Sequence, residues 1–113
     1  MTFHDALLQA INGKDPIEDE WFFEKFREQF IDTMSTVEAF EAIGETVEVL
    51  LRQSDESTAI EVLQTLIALA RQSDTTEIPP KLLAQKSAIA RQFSTCSDYA
   101  KNKLQELFDH YRL

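Results

Sequence analysis

Three short stretches of this sequence repeat one another, and each closes an apolar run with helical spacing. They read Leu51-Arg52-Gln53, Ala70-Arg71-Gln72 and Ala90-Arg91-Gln92. Their arginines lie 19 and 20 residues apart, an interval that one helix and one turn fill. The pattern therefore predicts a stack of short helices in which two intervals make a helix pair of about 40 residues. Ordinary helix-end chemistry, an arginine near the last turn followed by polar residues, explains the repetition equally well.

The composition also favours helices packed around one core. The chain has 113 residues, 43% of them hydrophobic, with only 2 Gly and 3 Pro. So few turn-forming residues argue against many short strands. A chain of this length buries about two-thirds of its unfolded surface. We therefore expect a single all-helical domain over residues 1–113.

The cellular compartment is inferred from the cysteine content and from the N-terminus. Cys96 is the only cysteine, which excludes an internal disulfide and fits a reducing compartment. The first residues show no basic segment followed by an apolar run, and every apolar run is too short for a membrane span. We expect a cytoplasmic protein that does not bind membranes.

Apolar periodicity predicts six helices, and capping signals set most of their starts. Val62 and Leu69 broaden the apolar surface of the fourth helix, which we expect at the centre of the stack. Tyr99 is assigned to the buried side of the sixth. The predicted helices are residues 3–12 after the cap Thr2, a helix opened by Asp15 and Pro16, a helix opened by a Ser35–Glu38 capping box, residues 58–72 with a box at Thr58 and Glu61, residues 80–93 and residues 98–111.

Over residues 36–113 the chain resembles short HEAT-like helical repeat proteins. The resemblance rests on the helix period and on the repetition at Arg52, Arg71 and Arg91. It implies an all-α fold of about six antiparallel helices, stacked as a small HEAT-like or helical-bundle domain. Proteins of this build commonly present surfaces to other macromolecules.

Charge is distributed unevenly along the chain. The net charge is −9, and residues 1–80 hold 5 Lys and Arg against 17 Asp and Glu, whereas residues 81–113 hold 6 against 3. Contact with phosphates needs a basic surface, so direct binding of nucleic acid or an anionic membrane by the first part is not expected. A basic protein is the natural complement.

The third predicted helix has the most specific acidic pattern. Its four glutamates fall within an arc of about 80°, and like charges at this spacing repel, so the pattern does not stabilise the helix. Val49 lies about 20° beyond the arc, opposite the predicted core, and is expected to be exposed. A solvated face is the alternative to a docking surface. The predicted partner-binding residues are Glu38, Glu41, Glu45, Glu48, Val49, Asp55 and Glu56.

A second acidic group follows the predicted start of the second helix. Trp21 lies within it and is assigned to the core. The sequence leaves open which of the two acidic faces docks the partner. The group comprises Asp15, Glu18, Asp19, Glu20, Glu24 and Glu28.

Catalysis is not expected. His4 and His110 lie at opposite ends of the chain without a recurring ligand spacing, and glycine is too rare to build a phosphate-binding loop. We therefore predict a non-enzymatic protein without catalytic residues, metal or cofactor.

In size, acidity and helical build the chain resembles bacterial immunity proteins of the contact-dependent inhibition type. The resemblance implies that acidic side chains block the cationic active-site cleft of a basic toxin or nuclease domain, where they replace substrate phosphates. The alternative is a helical adaptor or self-assembling scaffold subunit, which binds a peptide or helix or associates through the fourth or sixth helix. The oligomeric state stays open, with a monomer favoured.

Overall fold

The helices of this chain follow the predicted order. The computed structural model describes residues 2–13 and 22–113, and these residues form α-helices and no strand, which confirms the all-α class. The predicted helix start at Asp15 and Pro16 lies outside the described residues. The helices are α1 (Phe3–Gly13), α2 (Phe22–Phe30), α3 (Thr36–Leu51), α4 (Glu56–Ser73), α5 (Pro80–Phe93) and α6 (Asp98–His110).

Local hydrogen bonds explain where several helices begin. The capping box before α3 is present: the Ser35 hydroxyl accepts from the Glu38 amide at 3.1 Å, and the Glu38 carboxylate accepts from the Ser35 amide at 3.3 Å. The Thr2 hydroxyl accepts from the Asp5 amide at 3.1 Å. α5 begins at Pro80 as predicted, because proline lacks the N–H that the first turn of a helix leaves unpaired.

The start of α4 differs from the prediction. Asp55, and not Thr58, caps this helix. One oxygen of the Asp55 carboxylate accepts from the Thr58 amide at 3.0 Å and from the Thr58 hydroxyl at 2.8 Å. A carboxylate accepts several hydrogen bonds at once, so Asp55 holds the whole first turn and Thr58 becomes a buried residue.

The helices pack in two layers. α1, α3 and α5 form one layer with α3 in the middle, and α2, α4 and α6 form the other with α4 in the middle. Consecutive helices pair across the layers, α1 with α2, α3 with α4, and α5 with α6. The shortest dimension is 19 Å, close to two helix diameters of about 10 Å each.

α4 is surrounded by protein on several sides. It contacts α2, α3 and α6, and Val62 and Leu69 are both 0% exposed. The prediction that this helix makes contact on more than one side is therefore confirmed.

The repeated stretches act through their glutamines. Each glutamine side chain donates to a backbone carbonyl at the end of a helix or in the adjoining turn, where regular helical donors run out. Arg52 and Arg91 are exposed. The glutamine of each repeated stretch thus has the same structural role, whether the stretches arose by repetition or from ordinary helix-end chemistry. The donor–acceptor pairs are Gln53 with Val49, Gln72 with Met34, and Gln92 with both Leu50 and Gln53.

Candidate functional site

The four glutamates of α3 lie on its solvent side. Glu38, Glu41 and Glu45 are exposed, and Glu48 is partly exposed. The opposite side of α3 is packed against the other helices, so the glutamates form one edge of an outward surface. Their interactions within the fold separate them into two groups.

Glu38 and Glu48 are already engaged. Glu38 belongs to the capping box of α3. Glu48 forms an ion pair with Lys81 of α5, and this hydrogen bond to an ammonium group lowers the pKa of the Glu48 carboxyl. Gly44 presents no side chain beside this pair, and Lys81 packs across it. The third helix has no lysine of its own, but Glu48 is nevertheless neutralised by a lysine from α5, so the predicted docking surface loses this charge.

Glu41 and Glu45 remain available. Both are exposed, and neither takes part in an ion pair within residues 2–13 and 22–113. They are four residues apart on one helix, where like charges repel by a few tenths of a kcal/mol. A cationic group placed between them would relieve this repulsion.

Val49 does not belong to this surface, which corrects the sequence prediction. Its side chain is 1% exposed and lies in the core. The prediction assumed that only one face of α3 is buried. The buried surface of α3 is wider, because this helix contacts α1 and α5 as well as α4.

The exposed apolar residue beside the glutamates is Val37, which is 62% exposed. Val37 precedes Glu41 by four residues, and Glu41 precedes Glu45 by four, so the three side chains form one row along α3. We call Val37, Glu41 and Glu45 the α3 strip. The regular spacing was visible in the sequence, but the exposure of Val37 depends on how the neighbouring helices pack.

Asp55 and Glu56 serve the fold. Asp55 caps α4, and Glu56 accepts a hydrogen bond from the Ser97 amide at 2.8 Å, which lowers the pKa of Glu56. This bond joins the start of α4 to the start of α6. Burial and the neighbouring Glu56 raise the pKa of the Cys96 thiol, so Cys96 is poorly suited to act as a nucleophile.

The second acidic group is described only in part. Glu24 and Glu28 are exposed on α2. Asp15, Glu18, Asp19, Glu20 and Trp21 lie outside the described residues.

The surfaces that favoured a helical adaptor are largely used within the fold. The broad apolar surface of α4 packs against three other helices. Phe108 of α6 and Tyr111, which follows its last residue, are buried. Tyr99 is the exception, since it is 55% exposed, and its predicted burial is wrong. Its hydroxyl accepts from the Gln64 side-chain amide at 3.0 Å, at the rim of the α4–α6 contact.

A catalytic arrangement is not seen in the part of the chain that the structure describes. No group of three or more His, Cys, Asp and Glu residues there is placed to hold a metal ion. His110 lies with its Nε2 atom 3.0 Å from the carbonyl oxygen of Thr75, far along the chain from His4. None of the helices in these ranges has the length and apolar character needed to cross a lipid bilayer.

No protein-family model, curated protein or solved structure matches this chain.

Proposed function

We propose that this chain is a non-enzymatic binding protein whose α3 strip docks on a basic protein. The observation that supports this most directly is that Glu41 and Glu45 stay exposed and form no ion pair with any residue that the structure describes, while every other acidic residue of α3 has a role in the fold. Val37 adds an exposed apolar contact in the same row. A partner with a cationic surface and a small apolar recess fits this row.

The partner that we propose is a basic toxin or nuclease domain, neutralised in the manner of an immunity protein. The two carboxylates stand on one helix, so binding orders their side chains but does not have to order their backbone. They occupy the cationic cleft in which the toxin would hold substrate phosphates. Charge attraction speeds the encounter, and burial of Val37 lengthens the life of the complex.

The residues assigned to the contact differ from the sequence prediction. Val37 replaces Val49. Glu38 adds negative charge beside the strip, and both Glu38 and Glu48 keep their contacts within the fold. Asp55 and Glu56 are assigned to the structure of α4 and α6 and not to the docking surface.

The test compares two charge reversals of equal size. The chain is used to capture proteins from its source cell in three forms: native, Glu41→Lys with Glu45→Lys, and Glu24→Lys with Glu28→Lys on α2. Far-ultraviolet circular dichroism first establishes that all three are equally helical. We expect a basic protein to be retained by the native chain and by the α2 variant, to be lost by the α3 variant, and to dissociate as salt is raised.

The captured protein then decides the biochemical role. If it is a toxin or nuclease, addition of an equimolar amount of the native chain should abolish its activity, and the α3 variant should leave the activity intact. Equal binding of the same partner by both variants, with an unchanged dependence on salt, contradicts the proposal.

A further inference from the structure

We propose that a cavity on the outer side of α4 binds a small aliphatic carboxylate. The cavity has a volume of about 180 Å³, which corresponds to about six water molecules of about 30 Å³ each. It lies on the layer formed by α2, α4 and α6, whereas the α3 strip belongs to the other layer. Binding at this cavity does not depend on the proposed docking on a basic protein.

Three cationic side chains, one from each helix of this layer, line the cavity. Arg27 of α2, Arg71 of α4 and Lys103 of α6 meet there, although the chain has only 11 Lys and Arg against 20 Asp and Glu. Among the described lining residues, Glu106 alone carries a carboxylate. Cations that converge in this way repel one another unless anions lie between them, so the cavity attracts a further negative charge.

Arg27 is held in place by α4. Its Nη1 atom lies 3.1 Å from the Glu61 carboxylate, and its Nη2 atom donates to the side-chain oxygen of Gln64 at 3.1 Å. The Gln64 amide nitrogen donates in turn to the Tyr99 hydroxyl at 3.0 Å. The side chain of Arg27 is only 15% exposed, so this guanidinium group is positioned before any ligand arrives.

Arg71 and Lys103 share one carboxylate. Arg71 binds one oxygen of Glu106 through its Nη2 atom, and the Lys103 ammonium group lies 3.4 Å from the other oxygen. With Glu61 on Arg27, two carboxylates face three cations, which leaves one positive charge unbalanced. Nη2 is the only guanidinium nitrogen of Arg71 with a hydrogen-bond partner in the described ranges, so the other nitrogens can donate to a ligand.

The apolar part of the cavity determines the class of ligand. Ile67 and Ala68 of α4 line the cavity beside the charged groups. A carboxylate with a short aliphatic chain matches both parts, because one guanidinium group donates two hydrogen bonds to its planar oxygens and the chain covers the apolar side chains. Phosphate and sulfate lack the apolar part, and a nucleotide needs a pocket of about 300 Å³ or more.

Calorimetric titration and NMR spectroscopy in a buffer without carboxylates test the proposal, with butyrate as the probe. We expect butyrate to bind with a millimolar dissociation constant and to shift the amide resonances around Arg71 and Lys103. Butyramide has the same shape without the charge, and inorganic phosphate has charge without the aliphatic chain. Each of these two compounds should bind at least about tenfold more weakly than butyrate.

Two substitutions at the cavity should change the affinity for butyrate in opposite directions. Arg71→Gln removes the exposed guanidinium group and should weaken binding by about tenfold or more. Glu106→Gln removes the carboxylate that competes for Arg71 and Lys103, and should strengthen binding by a similar factor. Arg91→Gln on α5 and Glu45→Gln on α3 make the same changes of charge at exposed positions outside the cavity, and should leave the affinity unchanged.

A purely structural role for these charged groups predicts a different result. If they only hold α2, α4 and α6 together, Glu106→Gln lowers stability and brings no gain in affinity. Circular dichroism first establishes that each variant keeps native helicity. A native chain that does not bind butyrate overturns the proposal, as does equal binding of butyramide or phosphate. A folded Glu106→Gln variant that binds butyrate no better than the native chain contradicts it as well.

Discussion

The Nε2 atom of Gln92 lies 2.8 Å from the backbone carbonyl oxygen of Leu50 and donates a hydrogen bond to it. The same amide reaches the carbonyl oxygen of Gln53 at 3.2 Å. These acceptors belong to the end of α3 and the turn after it, where the helix supplies few donors, although the Leu50 carbonyl oxygen also accepts from the Gln53 amide at 3.1 Å. We expect Gln92→Ala to lower the free energy of unfolding by about 1–3 kcal/mol.

Urea denaturation measures this loss, with Gln85→Ala as the control. Gln85 is also half-buried on α5 but makes no side-chain hydrogen bond in the described structure. Equal destabilisation by the two variants would show that the Gln92 contacts with α3 contribute nothing specific.

Val49 and Val37 of α3 allow a comparison of a buried valine with an exposed one on the same helix. Val49 is 1% exposed and Val37 is 62% exposed. Val49→Ala should cost about 2 kcal/mol, because two buried methyl groups are lost and a cavity is left. Val37→Ala should change stability by less than about 0.5 kcal/mol. Thermal and urea unfolding of both variants measure these losses. A larger loss of stability for Val37→Ala than for Val49→Ala would mean that Val49 lies at the surface.

Tyr111 has a buried hydroxyl group without a hydrogen-bond partner in the described structure. Its side chain is 3% exposed. Burying an unpaired hydroxyl is unfavourable, so Tyr111→Phe should raise the free energy of unfolding by about 1 kcal/mol. A loss of stability in this variant would reveal a hydrogen bond that the hydroxyl makes in solution.

Burial also raises the pKa of Tyr111 from 10.0 to about 12. The unfolded chain therefore loses this proton at a lower pH than the folded chain does. Stability contributed by the neutral phenol is complete below pH 10 and declines as the pH rises towards 12. Denaturation midpoints measured across this range should fall less steeply for Tyr111→Phe than for the native chain.

The Lys81–Glu48 pair gives a prediction at acid pH. Lys81 lowers the pKa of Glu48 below its ordinary value of 4.5, so the pair stabilises the fold above that value and the contribution is lost as the pH falls through the folded-state pKa. Lys81→Met should raise the pKa of Glu48, as followed by its side-chain carboxyl resonance in NMR. Lys101→Met removes a lysine on α6 and should leave that pKa unchanged. An unaltered titration of Glu48 in Lys81→Met would mean that the pair is not formed in solution.

Features that depend on residues close together in the sequence could be predicted from it. The Ser35–Glu38 capping box needs only residues three apart, and Pro80 determines its own place in the first turn of α5. The central position of α4 was also visible, because apolar residues such as Leu69 extend beyond one stripe.

Features that depend on packing could not be predicted. Glu48 and Lys81 are 33 residues apart, and no helical pattern relates them. The sequence pattern places Val49 at the surface because the periodicity of one helix does not show that α3 has neighbours on three sides. Two of the three residues of the α3 strip, Glu41 and Glu45, thus followed from the periodicity, and the assignment of Val37 required the tertiary structure.

The position of α4 has a consequence for how the molecule opens. In the described part of the chain, the main contacts of α1 and α2 on one flank, and of α5 and α6 on the other, are within each flank and with the central pair α3 and α4. Either flank can detach without the other, whereas α4 is released only when the whole assembly comes apart. Backbone amides near Leu66 should therefore exchange with deuterium last, on the timescale of global unfolding, and those of α1 should exchange much earlier.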